Sequence, residues 1–208
     1  MRKRFIAVLL SAIMLVAMAV SVSFAATEYV KMTTYTALKI GNTVYCPSAG
    51  DGIYKVTVKN GKVRKVKWLK KSEFVMGDYS YNNSLKKKGN YLYYIMWSEG
   101  TYCTLHRINL NTGKDKLIAV NATDYAFKDS KLYAEIWKDT EYGEHAVYRS
   151  MKLNGNSKKK TSVRPKMKLK ASNAKGYSVS YKEKGGYVYT YLKTLKGKYK
   201  LGRIKLDY

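Results

Sequence analysis

The sequence is poor in Cys, His and Pro, and it has few acidic residues for its number of basic ones. Its 208 residues include 2 Cys, 2 His and 2 Pro, and 14 acidic residues stand against 40 Lys and Arg. Two Cys exclude a disulfide-rich scaffold, and two Cys with two scattered His lack the ligand spacing of a Cys/His zinc cluster. The sequence also lacks a nucleophile-elbow motif, a phosphate loop, a dinucleotide fingerprint and a calcium-loop repeat. We therefore expect a protein that is not an enzyme and that holds no metal or cofactor.

The remaining composition favours a folded, strand-rich and strongly basic protein. Hydrophobic residues make up 46% of the chain, which is enough to bury a core. The 21 Tyr favour strands over helices. The formal net charge is +26, so anionic partners are expected.

The first 25 residues have the order of a secretory signal peptide. Met1–Arg4 carries three positive charges, Phe5–Val22 is almost purely apolar, and Ser23 and Ala25 are the small residues of a cleavage site before Ala26. An uncleaved N-terminal anchor is the alternative, because the apolar stretch is long for a signal. After residue 25 no apolar run is long enough to cross a bilayer. The sequence predicts a protein that is secreted, either extracellular or associated with the cell wall.

Residues 26–208 are predicted to form one domain of four similar units. Helical spacing is nearly absent, and short alternating runs are separated by turns such as Lys59–Lys62. The units span roughly residues 36–69, 79–120, 125–163 and 177–208. A unit of about 45 residues with four short strands is typical of a propeller blade. The sequence therefore predicts an all-β fold, a small or partial β-propeller of about four blades, each of up to four antiparallel strands.

Each unit needs an innermost strand, and the fourth unit also lacks an outermost one. A spare strand-like segment, Tyr29–Tyr35, precedes the first unit. Pairing this closing strand beside Tyr199–Leu206 would complete the ring and remove two exposed edges. The segments predicted as innermost strands are Thr36–Ile40, Tyr79–Leu85, Tyr125–Lys128 and Tyr177–Lys182.

Two segments of the second unit resemble a known group of proteins. Gly89–Tyr94 (GNYLYY) and Leu105–Lys114 (LHRINLNTGK) are similar to blades of secreted bacterial propellers of the TolB-like and low-density-lipoprotein-receptor type. The resemblance covers most of Leu38–Leu206. It implies a binding or scaffolding protein and carries over no catalytic residue.

Cys46 and Cys103 are the only thiols, and their pairing stays open. In an oxidising exterior they could form a disulfide, whereas otherwise they would be small buried apolar residues.

Lysine-rich stretches are the strongest functional signal. Residues 152–175 carry nine Lys and Arg without an acid, and residues 59–71 carry seven. Lys on outer strands also protects a sheet edge against aggregation. Protection of sheet edges does not explain the fifteen Lys that we assign to one set of turns, because turns are not sheet edges. Only three acids lie at the same turns. The connection Arg164–Lys175 is assigned to the opposite face. The predicted polyanion-binding residues are Lys86, Lys87, Lys88, Lys158, Lys159, Lys160, Lys166, Lys168 and Lys170.

Aromatic and acidic side chains of the loops suggest contacts with glycans. Exposed aromatic rings can stack on sugars, and paired carboxylates can cleave a glycosidic bond. A solvated rim is the simpler interpretation of the acids. His106 is expected to be a half-buried strand residue and His145 a loop residue. The aromatic candidates are Trp97, Trp137 and Tyr142, and the acidic ones are Asp139, Glu141 and Glu144.

The leading hypothesis is a secreted, non-catalytic binding or scaffold propeller. Its expected partners are anionic cell-wall polymer, acidic glycan or an anionic membrane surface, and another surface protein is an alternative partner. Lys point charges suit such phosphate- or carboxylate-rich partners. Nucleic acid has the right charge but is disfavoured, because a signal peptide leads away from the genome and Arg is sparse. A glycan-cleaving enzyme is the third possibility.

Overall fold

The computed structural model describes residues 29–48, 52–71, 85–98, 102–139, 141, 143–170, 173 and 175–206. These residues form seventeen β-strands in five sheets. In this part of the chain no helix has the length and apolar character needed to cross a membrane. The predicted signal segment, residues 1–25, lies outside the described residues.

Four antiparallel sheets follow one another along the chain, and each is built from strands that are neighbours in sequence. They confirm the all-β prediction and the partial β-propeller of four blades. The first sheet contains β2 (Leu38–Ile40), β3 (Thr43–Pro47), β4 (Ile53–Lys59) and β5 (Lys62–Lys70). The second contains β6 (Lys86–Lys88), β7 (Tyr91–Ser98), β8 (Tyr102–Asn109) and β9 (Asp115–Val120). The third contains β10 (Ala122–Lys128), β11 (Lys131–Lys138), β12 (His145–Lys152) and β13 (Lys159–Lys160). The fourth contains β15 (Ser178–Lys184), β16 (Tyr187–Thr194) and β17 (Gly197–Lys205).

Two-residue turns close several of these hairpins. Asn60 and Gly61 join β4 to β5 with φ angles of 51° and 74°, and Gly185 and Gly186 join β15 to β16 at 60° and 72°. Positive φ at both central residues matches the right-handed twist of the strands, and Asn and Gly adopt it at little cost. The turn residues therefore fix the register of the hairpins.

The core lies between successive sheets. Leu192 of the fourth sheet packs with Val56 of the first, and Leu38 of the first packs with Leu92 of the second. Leu105 of the second sheet packs with Leu132 of the third. The sheets are thus stacked face to face in the order fourth, first, second, third.

The N-terminal strand β1 (Tyr29–Tyr35) has a different partner from the predicted one. It runs parallel to β14 (Arg164–Lys170), with Tyr29 opposite Arg164. Tyr35 also bridges to Leu85, and β1 contacts β10. The predicted pairing beside Tyr199–Leu206 is therefore wrong, because β17 pairs with β16 alone among the described residues. The segment from Arg164 onward is a strand rather than a plain connection.

Two further positions differ from the sequence prediction. Lys86–Lys88 forms the short strand β6, whereas the predicted inner strand Tyr79–Leu85 lies outside the described residues except for Leu85. The loop Lys193–Gly197 connects the second and third strands of its unit, and this position in the unit predicts that it lies at the face opposite the Asn60–Gly61 turn. Thr194 Oγ1 donates a hydrogen bond to the Gly61 carbonyl, and β17 contacts β5, so this turn lies at the same end as Gly61.

Cys46 and Cys103 are buried free thiols that belong to different core clusters. Burial raises the pKa of both thiols. They pack as small apolar residues, which is one of the two alternatives left open by the sequence.

Candidate polyanion-binding surfaces

A basic depression of about 290 Å³ lies on the third sheet. Lys131 and Lys152 are cross-strand partners on β11 and β12, and Lys159 on β13 is opposite Ser150. These residues line the depression together with Met151 and Ser157, and no acid is among the residues that line it. Three ammonium groups and two hydroxyls can donate hydrogen bonds to a phosphate or carboxylate. We call this site the third-sheet lysine depression.

The predicted cluster Lys158–Lys160 thus contributes one residue to the depression. Lys158 and Lys160 are also exposed, and Lys160 is paired with Arg149 on β12. The three lysines are consecutive in sequence, but only Lys159 lines the depression. Lys160 follows it on β13 and points to the opposite face, and Lys158 precedes the strand.

The cluster Lys86–Lys88 is less accessible than predicted. Lys87 is exposed, whereas Lys86 and Lys88 are half-buried. Burial, and secondly repulsion from Lys88, lower the pKa of Lys86. The Lys88 ammonium donates a hydrogen bond to the Asp129 carbonyl oxygen at 3.2 Å, which links β6 to the turn before β11. This cluster therefore offers Lys87 as its exposed charge.

Lys166 and Lys168 occupy alternate positions of β14 and so share one face of that strand, and Lys170 is the last residue of the strand. Lys166 and Lys168 are exposed, and the backbone partner of Lys166 on β1 is Lys31. These lysines are brought together along an extended strand.

Of the predicted aromatic contacts, Trp137 borders a pocket. Its side chain is 38% exposed at the end of β11. Trp97 lies on β7 opposite Cys103, and Tyr142 lies outside the described residues. The pocket holds about 250 Å³ and is lined by Cys103, Asn121, Thr123, Trp137, Lys138, Asp139 and Glu144.

Both histidines are strand residues, and His106 is buried rather than half-buried as predicted. His145 begins β12 and is exposed, whereas His106 is 8% exposed on β8. His106 Nδ1 lies 3.0 Å from Asp115 Oδ2, and Nε2 lies 3.1 Å from Thr104 Oγ1.

Asp115 is the centre of a network that the sequence did not reveal. Lys70 Nζ of the first sheet donates to Asp115 Oδ2 at 2.6 Å, and the Tyr94 hydroxyl donates to Oδ1 at 2.7 Å. Burial alone would raise the pKa of Asp115, but hydrogen bonds from His106, Lys70 and Tyr94 outweigh it and lower the pKa to about 2. Asp115 is one of the three acids predicted at the lysine-rich set of turns. It is a clamp between two sheets, and nothing in the spacing of these residues indicates it.

The outward side of the fourth sheet was also missed. Tyr187, Tyr189 and Tyr191 alternate with buried residues along β16, and three cations of β17 lie over their rings. We interpreted these tyrosines only as strand packing. The strict alternation of Tyr with Val, Thr and Leu was the signal that could have identified this face.

Comparisons with known proteins give structural similarities alone. No family model matches the chain, and no curated protein matches it. The N-terminal domain of Nup159 is 15% identical, with a TM-score of 0.41, and the match covers 76% of this chain and 39% of that chain. A complex of S. cerevisiae Dbp5 with Nup159 and Gle1 gives 14% identity, a TM-score of 0.42, and coverage of 76% and 38%. The computationally designed Ika4 protein gives 11% identity, a TM-score of 0.37, and coverage of 84% and 91%. The chain spans about two fifths of the Nup159-containing chains that it matches.

Proposed function

We propose that this protein is an exported, non-catalytic binding or scaffold propeller that associates with anionic polymer outside the cell. The third-sheet lysine depression is the observation that carries the proposal. Its three Lys and two Ser have the donor chemistry of a phosphate or carboxylate site, and its lining includes no acid. With 40 Lys and Arg against 14 acids, cations outnumber carboxylates almost three to one in the sequence.

The resemblance to secreted bacterial TolB-like and low-density-lipoprotein-receptor-type propellers belongs to the same proposal. It supports a binding role over a catalytic one. Cell-wall polymer, acidic glycan and anionic lipid headgroups are the expected partners, because Lys acts as a point charge and needs no defined ligand geometry.

The proposal is tested by binding of the purified protein to teichoic acid at low salt and at about 1 M salt. Binding should be lost at high salt, where the Debye length falls to about 3 Å. Replacing Lys131, Lys152 and Lys159 by Gln should weaken binding at low salt and leave the melting temperature nearly unchanged. Binding that is absent at low salt, or that is unaffected by high salt, contradicts the proposal.

The pocket beside Trp137 favours a second candidate, the cleavage of a glycan. The pocket places an exposed indole near Asp139 and Glu144, which are the residue types of a glycosidase site. Glu141 is not among its lining residues. Asp139→Asn and Glu144→Gln variants should abolish glycan turnover if this candidate is right, and polymer binding would then be unchanged.

A further inference from the structure

The outward side of the fourth sheet brings together twelve side chains through the register of three strands. Tyr187 on β16 lies between Lys184 of β15 and Lys205 of β17. Every second residue of β16 has such a pair of partners on the same face, so each of these residues forms a row of three side chains. Direct cross-strand partners project from the same face of a sheet. The face contains three Tyr, two Ser and seven cations, and no acid. Its rows are Lys184–Tyr187–Lys205, Lys182–Tyr189–Arg203, Ser180–Tyr191–Lys200 and Ser178–Lys193–Lys198.

This face differs from every sheet face that packs on another sheet. Val188, Thr190 and Leu192 on the reverse side of β16 are buried, and Leu192 belongs to the core shared with the first sheet. On the outward face all seven cations are exposed and the three tyrosines are half-buried. Covering seven cations with a further sheet would bury charge without compensation, which is strongly unfavourable. The face is therefore suited to solvent or to an anion.

The tyrosine rings hold cations in place. Arg203 lies 4.0 Å from the centroid of the Tyr187 ring, Lys200 lies 4.5 Å from that of Tyr189, and Lys198 lies 4.5 Å from that of Tyr191. Neighbouring ring centroids are 6.4 and 6.5 Å apart. Cation–π contacts restrict long side chains that would otherwise lose rotamer freedom on binding. The result is a row of three cations, each held over one ring of a regularly spaced series.

The cations of this face act together on the Tyr189 hydroxyl. Arg203 donates a hydrogen bond to this hydroxyl at 3.4 Å. That bond, followed by the charges of Arg203, Lys200 and Lys184, lowers the pKa of Tyr189. An anion on this face would thus meet several cations at once.

We propose that the outward face of the fourth sheet is an extended binding site for a linear phosphodiester polymer of the teichoic-acid type. The inference rests on the proposed function and names the site and the ligand chemistry. Regularly spaced cations fit a flexible chain with one negative charge per repeat. Lys198, Lys200 and Arg203 cover the rings, so the rings serve as supports for cations and not as platforms for nucleic-acid bases.

The test compares two variants that lose the same charge. Lys198→Gln, Lys200→Gln and Arg203→Gln are combined in the site variant. The control combines Arg64→Gln, Lys65→Gln and Lys67→Gln, three exposed residues of β5. The probes are soluble poly(glycerol phosphate) and single-stranded oligodeoxythymidine of equal charge, titrated calorimetrically at several salt concentrations. Circular dichroism and thermal melting verify that both variants are folded.

The site variant should bind poly(glycerol phosphate) at least about tenfold more weakly than the parent. The slope of its log binding constant against log salt concentration should be smaller in magnitude by about two to three. The control should lose less than about threefold. A Tyr189→Leu variant, which keeps every charge, should also bind more weakly because its cations are less ordered.

Equal losses in the site variant and the control overturn the site while leaving the proposed function in place, because general charge would then carry binding. A parent protein that does not bind poly(glycerol phosphate) at low salt overturns the proposed function and the site together. Tighter binding of oligodeoxythymidine by the parent, lost in the site variant, overturns the assignment of the ligand.

Discussion

The carboxylate of Asp115 is expected to make a large, pH-dependent contribution to stability. Its pKa is lowered from 3.8 to about 2 by Lys70, His106 and Tyr94 against the effect of burial. At about 1.4 kcal/mol per pKa unit, and after a discount for solvent screening of this partly exposed group, the charged carboxylate stabilises the folded protein by about 2 kcal/mol at neutral pH. A folded-state pKa below the unfolded value means that this stabilisation is complete above about pH 4 and is lost as the pH falls through about 2.

The Asp115→Asn variant keeps the shape of the side chain and removes its charge. Urea unfolding followed by Trp fluorescence should show a loss of about 2 kcal/mol near pH 7, shrinking as the pH falls from about 4 to 2. Asp129→Asn is the matched control, because Asp129 is exposed in a turn with a φ of 54° that Asn also tolerates. A difference in unfolding free energy between parent and variant that is the same at every pH would refute the electrostatic explanation. If Asp115→Asn loses no more unfolding free energy than Asp129→Asn, Asp115 does not stabilise the contact between the two sheets.

Three other predictions concern core packing, the pairing of β1 and the N-terminal segment. Gly202→Ala should destabilise the protein by about 1–3 kcal/mol, because its Cβ would overlap the Tyr54 hydroxyl. Tyr54→Phe should restore part of the loss, because that buried hydroxyl has no hydrogen-bond partner among the described residues. No rescue in the double variant would contradict this packing. Removing β1 should lower the melting temperature by at least about 5 °C and promote aggregation through the exposed edge of β14. A parent-like melting curve would show that the pairing is dispensable. Mass spectrometry of exported protein should find Ala26 as the first residue, and an intact Met1 would instead favour an anchor.

The repeated sheets could be predicted from sequence because their signals are local. Turns such as Asn60-Gly61 separate alternating runs, and each hairpin is closed by residues a few positions apart. The partner of β1 could not be predicted, because Tyr29 and Arg164 are brought together by the packing of whole sheets. A short strand inside a lysine run, as at Lys86–Lys88, has no hydrophobic alternation to mark it.

The candidate sites also combine features that the sequence predicts with contacts that only the folded structure shows. The lysine runs were recognised, but only the register shows that Lys159 joins Lys131 and Lys152 around one depression. The Asp115 clamp depends on Lys70 from another sheet, which no motif spacing encodes.

The face-to-face contact of the fourth sheet with the first has a consequence for the order of folding. Val56 and Val58 of β4 are covered by Leu192 of β16, which is synthesised more than 130 residues later. Until the fourth sheet forms, the first sheet exposes an apolar face to water. Contacts of such large sequence separation slow folding, and exposed strands of this kind are sites where unfolded chains associate. A chain whose first sheet is covered only when its fourth sheet is complete depends on protection of β4 during synthesis.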